Sequence, residues 1–499
     1  MFNYLSAIVF LPVIGAIVIA LFGGKNEKAI KWLAAVFTFI PMILSFVIFG
    51  LFDRTAAGAQ FQFVENYPWI PAINAGYHLG VDGLSLPMVV LTSFLGFMVI
   101  LISWKEHNRP REYFAWLLLL ETSILGVFCS LDLILFFVFW EIEIIPMYFL
   151  ISVWGAGRKE YSAMKYVIYT LFGSAFMLAG ILTLYFATAS AGTPTLDMVT
   201  ITRLGLGQVQ TIIPAAGLFF LLFIGFAIKL PMFPLHTWLP DAHTDAPTAG
   251  SVMLAGALIK MGGYGIIRIC VSFFPQTAHD YALPLIILAV IGIIYGAALT
   301  LKQNDIKRMI AYSSVSHMGF VLLGVFALGT VSMTGAAMQM FSHGILTGLL
   351  FATAGLTMHN IHERDLRKMG GLARQIPVIA VVFIIAGLGS LGLPSTSGFV
   401  SEFLVFSGSY STSIFGIHVI TILAVSGVVL AAGYILWMVQ RAFYGPILEQ
   451  YNGVKDADKL EKVYMFSFIA LIFLVGIYPK ILTDVFTSGI APIVHLIGG

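Results

Sequence analysis

The stretch IKLPMFPLHTWLPDAHTDAP, Ile228 to Pro247, places a lysine and two prolines, Pro231 and Pro234, in the middle of an apolar run. Proline lacks an amide hydrogen and clashes with the carbonyl four residues back, so these two release the carbonyls of Ala227 and Leu230 from a helix ladder. At membrane depth, open backbone is tolerated only where it is buried in protein or lines a wet cavity. Lys229, the released carbonyls and His236 therefore describe a hydrated pocket around a broken helix.

The rest of the chain supports that depth. Of 499 residues, 59% are hydrophobic and 10% charged, against about 25% charged in soluble domains. Apolar runs of about 20 residues, enough to cross a bilayer, recur fourteen times between 4–22 and 463–488. The fold class is all-α and polytopic. Spans seven (211–238) and twelve (376–407) are unusually long and interrupted.

The net charge of +2 decides nothing, but its distribution does. Most of the 26 Lys and Arg fall in odd-numbered loops, beginning with Lys25, Lys28 and Lys31 and continuing with Lys105, Arg109 and Arg111. The opposite side holds only Arg54, Arg203, Arg268 and Lys480. The positive-inside rule then puts odd loops in the cytoplasm and both termini on the other side. The N-terminal run has no basic leader and reads as a retained anchor.

Several function classes drop out. The longest polar stretches, 52–82 and 441–462, are too short to build a soluble core. Cys129 and Cys270 lie in or beside apolar runs, with neither a CxxC nor Cys/His ligand spacing. The GLGSLG run at 387–392 matches a dinucleotide fingerprint only formally: it follows no strand and lies inside a span, where it reads as helix packing or a helix break.

An ionisable side chain at mid-membrane costs on the order of 3 kcal/mol, so each one is a functional candidate. The series is Glu141 and Glu143, Lys229, Lys260 and Glu402, joined by His236, His317 and His343. Glu141 and Glu143 stand about 200° apart around a helix, so one of them is expected to face the polar interior. Glu121 and Asp132 are expected at the membrane interface. A lone buried histidine serves packing about as often as proton transfer.

Pro394, in GLGSLGLPSTSGFVSEF, makes a second Leu-Pro break before Glu402. Corresponding broken spans in two parts of a chain point to an internal repeat with a half-channel in each. The offset from span seven to span twelve is odd, so the copies are inverted. Protons are the natural cargo of such a row. At about 8 Å and an effective dielectric near 20, a carboxylate and a lysine interact by about 2 kcal/mol, enough to decide whether the lysine keeps its proton. In this scheme Glu141 controls Lys229, Lys229 exchanges with Lys260 through water and the histidines, and Glu402 is the terminal exchange point. The acidic seventh loop, with Asp241, His243 and Asp245 and no basic residue, reads as a proton-collecting mouth.

GVDGLSLPMVVLT (80–92), FWEIEIIPMYFL (139–150), KLPMFPLHTWLPDAHTDAPTAGSVMLAGALIKMGGYG (229–265), LKQNDIKRMIAYSSVSHMGF (301–320) and GFVSEF (398–403) resemble the M, or chain 4, family of proton-translocating NADH-quinone oxidoreductase. The resemblance covers nearly the whole chain. It implies an antiporter-like subunit of the membrane arm of complex I in a bacterial inner membrane. It implies N-terminal helices in 1–112, two inverted five-helix repeats in 113–272 and 282–444, and a last helix at 463–488. The matching functional positions are Glu141, Lys229, Lys260, His317, His343 and Glu402, with His236 beside them; the sister L and N chains carry lysine where this chain has Glu402. Flavin mononucleotide, iron-sulfur clusters and quinone would belong to partner subunits, with no cofactor or metal in this chain, and the L- and N-type chains and membrane lipid would be its neighbours. Mrp-type sodium/proton antiporter subunits, membrane-bound hydrogenase subunits and a photosynthetic ferredoxin-plastoquinone relative share the KLP…H…WLP core. A dihaem cytochrome would need paired histidines on facing helices, and His317 and His343 lack a second pair.

Overall fold

The computed structural model describes residues 3–22, 26–55, 60–192, 194–205 and 213–498, so Lys25 of the basic-loop pattern lies outside the described residues, as do 211 and 212 of the expected seventh span. The chain opens with α1 (Tyr4–Phe22) and α2 (Glu27–Leu51), then a hairpin of β1 (Gln62–Ile70) and β2 (Ala75–Val81), then α3 (Ser85–Ile102) and α4 (Pro110–Cys129). Next come α5 (Leu133–Ile142), α6 (Ile144–Trp154), α7 (Lys159–Thr188), α8 (Met198–Leu204), α9 (Ala215–Lys229), α10 (Trp238–Asp245), α11 (Thr248–Met253), α12 (Ile259–Gly265) and α13 (Pro275–Asp280). The second half holds α14 (Ala282–Leu301), α15 (Ile306–Phe326), α16 (Thr330–Ile361), α17 (Pro377–Ser390), α18 (Ser397–Tyr410), α19 (Ile417–Phe443), α20 (Lys459–Ile477) and α21 (Lys480–Leu496).

Among the described residues, twelve helices are long and apolar enough to cross a membrane. Two shorter apolar helices, α9 and α17, are the first limbs of the expected spans seven and twelve. The chain is an integral, multi-pass membrane protein. The run Thr248–Val271 and α16 are buried along their whole spanning windows, whereas α1, α2, α7, α19 and α20 bury only about a third of theirs. The molecule is therefore built around α16, which packs on α15, α17, α18, α20 and α21.

Two features depart from the expected string of spans. The polar stretch 52–82 contains the antiparallel hairpin, with Tyr67 opposite Tyr77 and a turn at Asn74, whose φ of 52° an asparagine tolerates. The expected last span, 463–488, is two helices: α20 ends at Ile477, Pro479 follows, and α21 turns back to pack on α3 and α16.

The broken spans are as the prolines require, and several of the freed carbonyls find donors within the protein. The carbonyl of Ala227, released by Pro231, accepts from the Met232 amide at 2.9 Å. The displaced carbonyl of Ile228 accepts from the Trp238 indole at 2.9 Å. In the second break, Leu393 donates to the carbonyl of Leu388 at 3.0 Å, and Gly392 takes a φ of 81°. The GLGSLG run thus caps α17, with Gly389 packed beneath Leu346 on α16.

Candidate functional site

Lys229 is the last residue of α9 and is 1% exposed. Its ammonium donates to Glu143 Oε1 and lies 3.3 Å from the Tyr166 hydroxyl, which itself donates to Glu143 Oε2. The rings of Trp140 and Tyr166 close the pocket, with centroids 5.5 and 5.2 Å from Nζ, the geometry of a cation over an aromatic face.

The direct ion pair of Lys229 is with Glu143, where Glu141 was the residue expected to act on it. Pro146 removes the amide that would bond the Ile142 carbonyl, and the helix is interrupted at Glu143 between α5 and α6. Glu143 keeps a helical backbone, with φ −65° and ψ −24°, and is fully buried, while Glu141 stays in reach of the same charge: it faces Ser174 on α7, has an Oε1 with no hydrogen-bond partner, and feels Lys229 electrostatically.

Lys260 lies in α12, just after a π-helical turn, Leu254–Leu258. Its ammonium donates to the carbonyl of Ala255 inside that turn and sits 2.7 Å from His343 Nδ1. The His343 and His317 rings are 5.3 Å apart between centroids. His317 Nδ1 is 3.6 Å from Glu402 Oε1 and 3.3 Å from Gln339 Nε2, and its Nε2 is 3.2 Å from the Ser390 hydroxyl and 3.5 Å from that of Tyr434. Four of the expected residues, from α12, α16, α15 and α18, therefore form one row: Lys260, His343, His317, Glu402.

Lys229 and Lys260 are not joined by a hydrogen bond among the described residues, although their helices touch. A Cβ on Gly262 would stand 2.6 Å from both the Leu230 amide nitrogen and the Phe226 carbonyl oxygen, so glycine is what lets α12 press on the end of α9.

The comparisons with known proteins fit this geometry. Residues 130–430 match the family model described as NADH:quinone oxidoreductase/Mrp antiporter, transmembrane. The chain is 38% identical to NADH-quinone oxidoreductase subunit M of Rhodobacter capsulatus, over 99% of this chain and 96% of the relative. It is 40% identical to NAD(P)H-quinone oxidoreductase chain 4 2 of Thermosynechococcus vestitus, over 99% and 93%. The chain belongs to the subunit M family of NADH-quinone oxidoreductase. A chain of respiratory complex I from Thermus thermophilus with bound NADH superposes with a TM-score of 0.88 at 27% identity, covering 99% of this chain and all of that one. A chain of the Mrp complex from Dietzia shares the fold, with a TM-score of 0.85 at 18% identity.

Other residues of this family member fall differently from their sequence reading. His236 is buried but, among the described residues, forms no hydrogen bond with the Lys229 pocket: it rests against Phe233 and Tyr295 at 6.0 and 5.3 Å between ring centroids. The seventh loop holds no basic residue, yet neighbours neutralise its acids: Asp241 meets Lys165 at 2.7 Å and Arg308 at 3.3 Å, and Asp245, which also accepts from the Ser162 hydroxyl at 2.6 Å, meets Arg364 at 4.0 Å. His243 is sealed between them, stacked on Phe351 at 4.8 Å, with no hydrogen-bond partner at either ring nitrogen and in electrostatic reach of Lys260 and Lys307. Glu121 is not interfacial: it is mid-helix in α4, 1% exposed, and its carboxyl occupies the space left by Gly96. Asp132 is buried at the start of α5 and caps it through the amides of Ile134 and Leu135.

Sequence reasoning missed one buried pair. Arg268 donates to Asp82 Oδ2 at 2.5 Å, both almost fully buried, with Tyr264 and Phe61 against the guanidinium. The two residues are far apart in the chain, and Arg268 read as a loop-end charge.

Proposed function

We propose that this subunit moves protons across the membrane, driven by electron transfer from NADH to quinone in partner subunits of a complex I-type assembly. The observation that carries the reading is the unbroken row Lys260, His343, His317 and Glu402, with ring and side-chain contacts of 2.7 to 3.6 Å at its two ends and a 5.3 Å ring-to-ring step between the histidines. Every member can take up and give back a proton.

The Lys229–Glu143 pair, with Glu141 beside it, is the switch at one end of the row. Drawing a carboxylate away from Lys229 lowers the cost of its losing a proton, which then reaches Lys260 across the α9–α12 contact when water enters there. Glu402 hands protons to the far side. Counting each broken pair of helices as one crossing gives fourteen crossings, with inverted repeats in 113–272 and 282–444. In this reading both termini lie on the non-cytoplasmic side of a bacterial inner membrane, L- and N-type chains flank the subunit, and flavin, iron-sulfur clusters and quinone reside in partners. The names of the relatives and the family match support the assembly.

The test is Glu402→Gln in the assembled complex, reconstituted in proteoliposomes. Proton uptake driven by NADH should fall severalfold or more per electron transferred, with NADH oxidation by the peripheral arm retained. Unchanged proton-to-electron stoichiometry in assembled complex would overturn the reading.

A further inference from the structure

A second built cavity lies away from the charged row, in a crevice of about 880 Å³ between α2, α3 and the start of α20. Its walls are aromatic. Trp32 meets Trp104 edge to face at 5.3 Å, and Phe39 meets Phe97 at 5.2 Å. Trp32 and Phe39 are 63% and 43% exposed, so the slot opens sideways, toward the membrane. From Trp32 to Phe39 is seven residues, about 10 Å along a helix, against a leaflet of about 15 Å.

Polar groups in the lining are confined to one end, where the turn after α3 gives Lys105, and the cap and first residue of α20 give Asp458 and Lys459. Lys105 is already neutralised, 2.9 Å from Asp458 and 2.6 Å from Glu461. Lys459 is not: among the described residues it forms no ion pair. Neither does Lys28, exposed one turn before Trp32 on the same face of α2. The crevice thus runs from the unpaired ammonium of Lys459, with Lys28 one turn before Trp32 on the helix that forms the opposite wall, to a dry aromatic slot, the order of polarity along a phospholipid from phosphate to acyl chain. Tryptophans at the boundary suit the headgroup level, and basic pockets between spanning helices recognise anionic headgroups.

We propose that this crevice is a seat for one anionic phospholipid, with its phosphate held by Lys28 and Lys459 and an acyl chain between the Trp32–Trp104 and Phe39–Phe97 pairs. The proposal is independent of proton transfer. It makes the site selective by charge, since a zwitterionic lipid gains the slot but brings its own ammonium to two lysines. Each basic residue near an anionic headgroup favours it enough that the pair predicts a preference on the order of tenfold.

The experiment uses the assembled complex in phosphatidylcholine nanodiscs doped with phosphatidylglycerol or phosphatidylcholine brominated on the acyl chains. Bromine quenches nearby tryptophan, and the quenching lost in the Trp32→Phe/Trp104→Phe variant is the signal of the site. The expected result is half-quenching at about a tenfold lower fraction of brominated phosphatidylglycerol than of brominated phosphatidylcholine. That preference should collapse in Lys28→Gln/Lys459→Gln, and shrink severalfold in Lys459→Gln alone if the double variant does not assemble. Three results would overturn it: no signal from the two tryptophans, as when a neighbouring chain covers the crevice; equal quenching by the two lipids; or a preference that survives the lysine substitutions.

Discussion

Glu143 and Lys229 form a sealed ion pair, with Tyr166 completing the hydrogen bonds of the carboxylate, while Glu141 two residues earlier keeps an oxygen without a partner. The two carboxylates therefore do different work. Breaking a buried pair by removing one partner costs about 3–5 kcal/mol, because a charge is left uncompensated. Glu143→Gln should lower the amount of assembled complex or its melting temperature as well as pumping. Glu141→Gln should leave assembly intact and reduce only the protons moved per electron. Blue-native gels beside vesicle acidification distinguish these outcomes, and identical behaviour of the two variants would remove the division of roles.

Lys260 offers a sharper test because its role demands loss of a proton. Arginine keeps the charge and cannot be deprotonated in a protein. Lys260→Arg should therefore fall to a small fraction of normal pumping, and Lys260→His, which titrates, should retain more. If the arginine variant assembles and pumps normally, Lys260 is a fixed charge and the row is not a relay.

Much of this was legible in the sequence, for reasons that separate cleanly. The polytopic helical class and the two breaks follow from hydropathy and proline chemistry, which are local, and the buried charges stand out because lipid makes them costly. What the sequence hid was long-range or geometric. Which of Glu141 and Glu143 would meet Lys229 depends on how the fifth span packs against α9, and a 3.6-residue period does not give that. The neutralisation of Asp241 needs Lys165 and Arg308 from distant helices. The Asp82–Arg268 pair joins residues 186 positions apart in the chain. His236 was misplaced because a broken helix no longer carries its residues on a helical face.

Gly392 links the second break to its acid. Its φ is 81°, and a Cβ there would stand 2.6 Å from Glu402 Oε2. Gly392→Ala imposes left-handed strain, about 1–3 kcal/mol, and pushes the carboxylate off His317. The melting temperature should fall by a few degrees and pumping should fall with it. Retained pumping in this variant would show that the 3.6 Å approach of Glu402 to His317 is not needed.

Outside the membrane, His78 holds Asp197 at 2.6 Å beside the hairpin. Burial pushes this carboxyl up, but the hydrogen bonds from His78 and Thr200 outweigh it and leave it below its ordinary value. A depressed carboxylate stabilises the fold above the ordinary value, about 3.9, and the stabilisation is lost as pH falls through the lower folded value. Asp197→Asn should lower the melting temperature at neutral pH, with the difference from the parent vanishing as pH drops below about 4. A difference that persists unchanged in acid would assign the effect to shape and not to charge.

Arg268 and Asp82 show what a buried pair does when it moves nothing. The pair ties the start of α3 to the π-helical run Ile266–Val271 that ends the Lys260 span, and the two ions sit in apolar surroundings. Removing either partner alone strands the other, at about 3–5 kcal/mol, whereas replacing both by apolar residues of similar size is often neutral or stabilising. Asp82→Leu and Arg268→Met should each reduce assembly sharply, and the double variant should recover most of it. The decisive readout is pumping in that recovered double variant. If it pumps at the parental ratio, the pair is a clamp that holds the Lys260 helix against α3. If assembly returns while pumping stays lost, the charge on Arg268 belongs to the proton path and the row extends beyond Lys260 toward the hairpin face.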